Sequence, residues 1–257
     1  MNSDEAIADF VKNGHQQYLP HLSVDSVIFG YHDQQLRILL LQWKGLLGWG
    51  LPGGFIRRDE PLSRAAHRVV QERTGLDDLF LHQFYTFGDS PYRLQERSAQ
   101  QFAENYNLVV EESWLFERTL SVGYVALVDY SKVTVQTDFF TQDHQWCAIN
   151  EIPYLLFDQN DVVMKALATL RQQLYHQPIG YTLLAEKFTL PEIHTLYETL
   201  LGKTLDARNF AKKLVALGLI RKLDERRAIG PHRSPYLYQF EKETYEEALK
   251  QGIAHAY

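Results

Sequence analysis

Cysteine is nearly absent from this sequence. Cys147 is the single cysteine among 257 residues, so the chain can form no internal disulfide, and nothing favours an oxidising compartment. Long apolar runs are absent too. The densest one, residues 36–41, contains Arg37 and is far shorter than the about 18 apolar residues of a membrane-spanning helix. The opening residues are acidic, whereas a signal peptide begins with basic ones. We therefore expect a cytoplasmic protein.

The motifs of several common enzyme classes are also missing. The sequence contains no P-loop, no dinucleotide-binding fingerprint and no Ser-His-Asp nucleophile elbow. Four histidines share no spacing that is typical of metal ligands, namely His21, His67, His144 and His194. We expect no metal site built from these residues and no cofactor.

Charge is distributed unevenly along the chain. The formal net charge of -6 by itself disfavours a nucleic-acid partner. Residues 1–177 carry 14 basic and 22 acidic side chains, a net of -8, whereas residues 178–257 carry 12 and 10, a net of +2. Within residues 202–235 there are nine basic and three acidic side chains, a net of +6. This local excess indicates a surface that binds polyanions.

The hydrophobic pattern predicts an α+β fold for the first two thirds of the chain. Residues 61–74 have helical spacing, with Pro61 suited to the first turn and Gly75 to the C-terminal cap. Strands are predicted at 24–31, 36–42, 80–88, 120–128 and 145–150, and a second helix at 158–175. This mixture predicts an α/β/α sandwich with a mixed sheet.

The remaining chain predicts a winged helix-turn-helix domain. Thr189 and Glu192 form a capping box that opens a helix, and Gly202 ends it. A second helix is predicted to begin at Thr204 or Leu205, followed by strands at 219–223 and 236–240 around a turn-rich loop. Helix, turn, helix and hairpin follow one another as in a winged helix.

These patterns divide the chain into four parts. Residues 1–20 are an N-terminal helical segment, and residues 21–160 form the α/β domain. Residues 161–177 are a linker helix, and residues 178–257 form the winged helix. The polar stretch 92–113, which has a weak helical centre, interrupts the α/β pattern, and we expect it to be an insertion on the surface.

One spacing in the α/β domain is specific. The residues that carry it are Gly54, Glu60, Arg68, Val70, Glu72, Gly75 and Leu76. They resemble the Nudix box, Gly-x5-Glu-x7-Arg-Glu-U-x-Glu-Glu-x-Gly-U with U aliphatic, and seven of its nine specified positions match. The resemblance covers about residues 20–160 and implies the Nudix fold.

Two positions depart from the box. In a Nudix hydrolase, carboxylates on one helix face hold Mg²⁺ or Mn²⁺ against a diphosphate. Here Val69 and Arg73 take two of the three places, and only Glu72 remains. A cation facing Glu72 would lie beside a guanidinium, so we expect no catalytic residues and no metal-assisted hydrolysis. Glu60 then favours the helix N-terminus, and Arg68 pairs with a neighbouring carboxylate.

A binding pocket can persist after catalysis is lost. Gly53 and Gly54 allow a loop to approach a helix or a ligand closely. We expect the pocket to hold a nucleotide or a sugar phosphate. Trp49 and Phe87 are candidates for stacking, and Arg118 is a candidate for pairing with phosphate.

The basic stretch has the composition of a DNA-binding surface. Arg and Asn read guanine and adenine in the major groove, whereas Lys contacts phosphates. The expected DNA contacts lie on the second helix, at its start and on the hairpin: Lys203, Thr204, Arg208, Asn209, Lys212, Lys213, Arg226, Arg227, His232 and Arg233. The alternative is a solvated, lysine-rich helix on a protein-binding adaptor.

The C-terminal sequence extends the resemblance. Residues 146–158, 178–184, 188–193 and 206–210 resemble the NrtR and AraR-like group of Nudix-related transcriptional regulators. The resemblance implies a homodimer that binds a palindromic operator and senses a metabolite. In the NrtR branch that metabolite is ADP-ribose or another NAD metabolite, and in the AraR-like branch it is a sugar or a sugar phosphate. The remaining alternative is an active ADP-ribose or sugar-nucleotide pyrophosphatase whose non-standard metal site uses Glu60, Glu72 and a carboxylate outside the box.

Overall fold

The chain divides into two compact units. The first comprises Met1–Gly30 and Arg37–Leu167, and the second comprises Tyr31–Leu36 and Ala168–Tyr257. The computed structural model describes residues 3–44, 48–76, 80–89, 96–106, 109, 113–176, 178–180, 183–228 and 234–251. In these ranges no helix is both long and apolar enough to cross a membrane.

The first unit combines helices with strands. In chain order its elements are α1 (Ser3–Asn13), β1 (Tyr18–His32), β2 (Gln35–Trp43), β3 (Trp49–Gly50), β4 (Gly53–Arg57), α2 (Leu62–Thr74), β5 (Phe80–Phe87), α3 (Glu96–Asn105), β6 (Leu120–Val128), β7 (Thr141–Ala148) and α4 (Gln159–His176). The tip of the β1–β2 hairpin and the residues of α4 after Leu167 belong to the second unit.

A mixed sheet lies at the centre of the first unit. The strand order is β3-β2-β1-β6-β5, while β4 pairs with β1 and β7 with β2. β1 and β6 are parallel, with Val24 beside Val122, whereas β5 pairs with β6 and β7 with β2 in antiparallel fashion. The predicted mixed sheet is thereby confirmed. β7 begins at Thr141, before the predicted start at 145. Residues 142–144 are polar and exposed, so the hydrophobic pattern did not indicate them as part of the strand.

Helix α2 packs on this sheet through its small and aliphatic residues. Ala65 and Ala66 lie in a buried cluster with Val24, and Val70 lies in a second cluster with Ile28. A Cβ atom on Gly54 of β4 would lie 3.0 Å from a methyl group of Val69. The glycine therefore lets β4 approach the helix closely, which brings the first residue of the Nudix box, Gly54, against the box residues of α2.

The expected insertion at 92–113 has a helix at its centre. Its residues 96–105 form α3, and Phe102 is 3% exposed. Phe102 packs with Ile7 and Val11 of α1 and with Phe140 in a hydrophobic cluster. The three apolar residues of α3, at positions 99, 102 and 103, have the spacing of one helical face, and this signal is weak because charged and amide residues surround it.

The second unit contains the predicted winged helix. Its elements are β8 (Phe188–Thr189), α5 (Leu190–Leu201), α6 (Ala207–Ala216), β9 (Ile220–Arg226), β10 (Tyr236–Phe240) and α7 (Lys242–Gln251). The three strands form a sheet in the order β8-β10-β9. The predicted capping box opens α5, with the Thr189 N–H donating to Glu192 at 2.7 Å. α6 begins later than Thr204 or Leu205 because Asp206 caps it, accepting from the Asn209 N–H at 2.7 Å.

Candidate functional site

The first unit encloses a cavity of about 880 Å³. Its walls come from α1, β1, β4, α2 and α3, together with residues 115–119 and 136–141. The lining includes the box residues Arg68, Val69, Glu72 and Arg73. A cavity of this size holds a ligand as large as a dinucleotide fragment.

Arg68 connects other matching residues of the box by direct hydrogen bonds. It donates to both carboxylate oxygens of Glu60, at 2.6 and 3.0 Å, to Glu72 at 3.3 Å and to the Phe55 carbonyl at 2.9 Å. Glu60 also accepts from the Arg57 N–H at 2.8 Å. The Arg68 guanidinium holds the pKa of Glu60 below its usual value, although burial opposes this. Glu60 and Arg68 therefore join α2 to β4.

The two departures from the box lie in apolar or ion-paired surroundings. Val69 is 2% exposed and packs against Gly54. Arg73 is 9% exposed, and its guanidinium donates to the carboxylate of Asp138. Asp138 also accepts from the Thr141 hydroxyl at 2.9 Å. Burial raises the pKa of Asp138, but the charge and hydrogen bonds of Arg73 outweigh it and hold that pKa below its usual value.

These residues do not fit a divalent cation held in the Nudix manner. Glu72 is half-exposed and lies 3.3 Å from the Arg68 guanidinium and 3.9 Å from that of Arg57. Asp138 is paired with Arg73. Across the described ranges, no group of three or more His, Cys, Asp or Glu side chains is arranged to hold a metal ion. Glu60, Glu72 and Asp138 thus each already have a guanidinium as counter-ion.

Three of the five predicted ligand-binding residues line the cavity. Gly53, Gly54 and Arg118 line it, and Arg118 donates to the Gly88 carbonyl at 2.8 Å. Trp49 and Phe87 are not part of the lining. Trp49 accepts from the Leu156 N–H at 2.9 Å beside α4, and Phe87 is buried against other rings of β5.

Two polar residues of the cavity were not identified from the sequence. Asp25 is 7% exposed, and it accepts from the Ser121 hydroxyl at 2.6 Å and from the Gln159 amide at 3.4 Å. Gln159 in turn accepts from the Leu51 N–H at 2.8 Å. An Asp inside the β-branched run of β1 was the available signal, because a carboxylate in a buried strand needs partners.

On α6 of the second unit, the predicted DNA contacts share one accessible side. Arg208, Asn209 and Lys212 are exposed and Lys213 is half-buried, while Phe210 and Leu214 face the core. Thr204, before the helix, is exposed, and the Lys203 ammonium lies 4.9 Å from the Tyr175 ring centroid. The arrangement leaves cations and an amide available to a nucleic acid.

The two adjacent arginines of the hairpin have different surroundings. The Arg226 guanidinium stacks 3.9 Å from the ring centroid of Tyr236 and is exposed. Arg227 instead donates to Glu192 at the start of α5 and, at 2.8 Å, to the Lys187 carbonyl. Burial raises the pKa of Glu192, but hydrogen bonds from Thr189 and Arg227 outweigh it and lower that pKa. The other two predicted contacts, His232 and Arg233, lie outside the described residues.

Both parts of the chain match known protein families. Residues 19–167 match the family described as the NUDIX domain, and residues 180–240 match the family described as the NrtR DNA-binding winged helix domain. The two matches confirm the predicted combination of a Nudix fold with a C-terminal winged helix.

Individual relatives cover most of the chain. A protein of Acinetobacter baylyi named "ADPR responsive transcriptional repressor NtrR" is 27% identical over 234 residues, which span 88% of this chain and 84% of that protein. The crystal structure of Shewanella oneidensis NrtR is 28% identical, with a TM-score of 0.67, and the match covers 88% of this chain and 96% of that one. A structure of the Shewanella protein complexed with a 27mer DNA is 29% identical, with a TM-score of 0.66 and coverage of 88% and 95%.

Proposed function

Because the chain belongs to the NUDIX domain family, we propose that its cavity senses ADP-ribose and that its winged helix represses transcription by binding operator DNA. One observation carries the proposal: a large Nudix cavity that lacks two of the three metal-binding carboxylates is encoded together with a basic winged helix. The name of the Acinetobacter baylyi relative supports ADP-ribose as the effector, and the DNA complex of Shewanella oneidensis NrtR supports operator binding.

We propose that the cavity binds its effector without cleaving it. Val69 supplies no metal ligand, and Arg73 brings a positive charge that already pairs with Asp138. Mg²⁺ or Mn²⁺ would therefore meet electrostatic repulsion where a Nudix hydrolase binds it. Purified protein incubated with ADP-ribose and either metal should release no AMP. Turnover that disappears in a Glu72→Gln variant would instead establish the pyrophosphatase alternative.

We propose the DNA contacts from the chemistry of the side chains and from their exposure. Arg208 and Asn209 would read base edges, and the remaining exposed cations of α6 and the hairpin would contact phosphates, with Arg226 foremost. A homodimer would place two winged helices on a palindromic operator whose half-sites lie about one helical turn, or a multiple of it, apart. Such a protein works where the chromosome is, in the cytoplasm of a bacterial cell.

The test is binding of the full chain to a fluorescent duplex taken from its own upstream region, followed by anisotropy. We expect selective, salt-sensitive binding that ADP-ribose weakens about tenfold and ribose 5-phosphate leaves unchanged, because an effector must bind one state better than the other. Release by ribose 5-phosphate alone would place the protein in the AraR-like branch. Failure to prefer the operator over a shuffled duplex would support the protein-binding adaptor.

A further inference from the structure

One side of the cavity is built from aromatic rings that surround Phe10. Five ring centroids lie between 5.0 and 6.0 Å from that of Phe10. The ring of Trp114 is not part of the cavity lining, whereas Phe10 lines the cavity together with the other four: Tyr18, Phe55, Phe139 and Phe140. We call these five residues the aromatic wall. Phe10 and three of its neighbours are half-buried, so their rings present apolar surface to the cavity.

Helix α1 holds Phe10 firmly in this position. Ile7 and Val11 are buried in a cluster with Phe102 of α3. The last turn of α1 is tied to the segment before β6, since the Trp114 indole N–H donates to the Phe10 carbonyl at 3.3 Å, and the Ser113 hydroxyl to the Val11 carbonyl at 3.4 Å. These contacts remove much of the entropic cost of ordering the ring when a ligand binds.

The polar side of the same cavity carries guanidinium groups. Arg68, Arg73 and Arg118 line it. Arg68 and Arg73 are paired with carboxylates, whereas Arg118 donates to the Gly88 carbonyl. A ligand that satisfies both sides must combine a flat aromatic group with an anionic group.

We propose that the aromatic wall binds the purine base of the effector and that α1 is therefore part of the effector site. Residues 3–13 lie before the segment that matches the NUDIX domain, which begins at residue 19. The wall selects a purine nucleotide over a sugar phosphate, because stacking on aromatic side chains rewards a π-face that a pentose phosphate lacks. This inference rests on the proposed function, since it names the recognition element for the base of ADP-ribose.

The decisive experiment is calorimetric titration of the full chain with ADP-ribose, AMP and ribose 5-phosphate. Phe10→Leu keeps the apolar volume and removes the ring, whereas Phe10→Tyr keeps the ring. Phe84→Leu is the matched control, because Phe84 is a half-buried ring of β5 outside the cavity lining. Operator affinity without ligand and the melting temperature show whether each variant is folded.

We expect AMP to compete with ADP-ribose on the unaltered chain and ribose 5-phosphate not to compete. Phe10→Leu should weaken ADP-ribose and AMP by about tenfold each, while Phe10→Tyr and Phe84→Leu bind like the unaltered chain. The inference is overturned if Phe10→Leu binds ADP-ribose and AMP as tightly as the unaltered chain does. It is also overturned if ribose 5-phosphate competes with ADP-ribose and AMP does not. Base-dependent binding of AMP without any operator release by ADP-ribose would leave the aromatic wall standing and defeat the proposed function.

Discussion

Position 73 is one of the two departures from the Nudix box. The Nudix box has a glutamate there, whereas this chain has an arginine that is 9% exposed and bonded to Asp138. The backbone strengthens the same connection, since the Gln136 N–H donates to the Arg73 carbonyl at 3.0 Å. Arg73 therefore attaches residues 136–141, which form one wall of the cavity, to the end of α2.

Removing the carboxylate of Asp138 should destabilise the first unit. In Asp138→Asn the Arg73 guanidinium stays buried without its counter-ion, which we expect to cost about 2 kcal/mol of unfolding free energy. Chemical denaturation of the variant against the unaltered chain measures this difference. Asp143→Asn, at an exposed position of β7, should change stability by less than about 0.5 kcal/mol. Equal stability of both variants would mean that the ion pair contributes nothing.

The same ion pair predicts a dependence on pH. The pKa of Asp138 is lower in the folded chain than its usual value, so protons bind the unfolded chain more readily. Its contribution to stability is therefore complete above about pH 4 and is lost as the pH falls through the lowered pKa. The stability difference between the unaltered chain and Asp138→Asn should accordingly shrink below about pH 4. A difference that stays constant from pH 7 to pH 3 would contradict this assignment.

At the scale of elements, we propose that two adjacent arginines of the winged-helix hairpin have different roles, one in DNA binding and one in structure. Arg226 is exposed on Tyr236, whereas Arg227 bonds Glu192, the residue that also caps α5. Arg226 is the last residue of β9 and Arg227 follows the strand, and their side chains have different partners.

Alanine substitutions should separate these two roles. Arg226→Ala should weaken operator binding and lower the slope of log affinity against log salt by about 1. It should cost less stability than Arg227→Ala, because the contacts of Arg226 with Tyr236 and the Ser234 carbonyl are exposed. Arg227→Ala should instead lower the unfolding free energy of the second unit by about 1 kcal/mol, since Glu192 loses a charged hydrogen-bond partner. The two variants are compared by anisotropy titrations at several salt concentrations and by thermal unfolding. An equal loss of DNA affinity at equal stability would place both arginines on DNA.

Helix α6 should carry the sequence preference. Arg208→Ala and Asn209→Ala should each cost about 1–3 kcal/mol on the operator and much less on a shuffled duplex, because bidentate contacts to base edges are lost. Lys212→Ala is the matched control on the same helix and should weaken both duplexes alike. A competition assay between the two duplexes measures the ratio. If Arg208→Ala and Lys212→Ala weaken both duplexes equally, α6 does not read bases.

The elements that follow local rules could be predicted, and the long-range ones could not. The β1–β2 hairpin, α2 with its Gly75 cap and the capping box of α5 all depend on neighbours in the chain. The packing of Phe102 against α1 and the pairing of Arg73 with Asp138 join segments that are far apart in sequence. Position 73 was visible as a departure from the box, but its partner, 65 residues later, was not.

At the scale of the whole molecule, the uneven charge corresponds to the two functions of the chain, effector binding and DNA binding. The first 177 residues carry a net of -8 and contain the cavity, whereas residues 202–235 carry a net of +6 and contain α6 and β9. A negative sensor domain is repelled by DNA, which leaves the winged helix as the surface that binds it. Composition therefore indicated the location of DNA binding, although the total charge of -6 alone pointed away from it.

We propose that ADP-ribose acts on this protein as a signal and that its effect on DNA binding requires no metal ion. The most direct measurement is release of a fluorescent operator duplex from the full chain by ADP-ribose, compared in EDTA and in Mg²⁺. We predict the same midpoint in both, with at least tenfold weaker DNA binding at saturation and intact ADP-ribose recovered afterwards. Release that occurs only with Mg²⁺ and is accompanied by production of AMP would contradict the account.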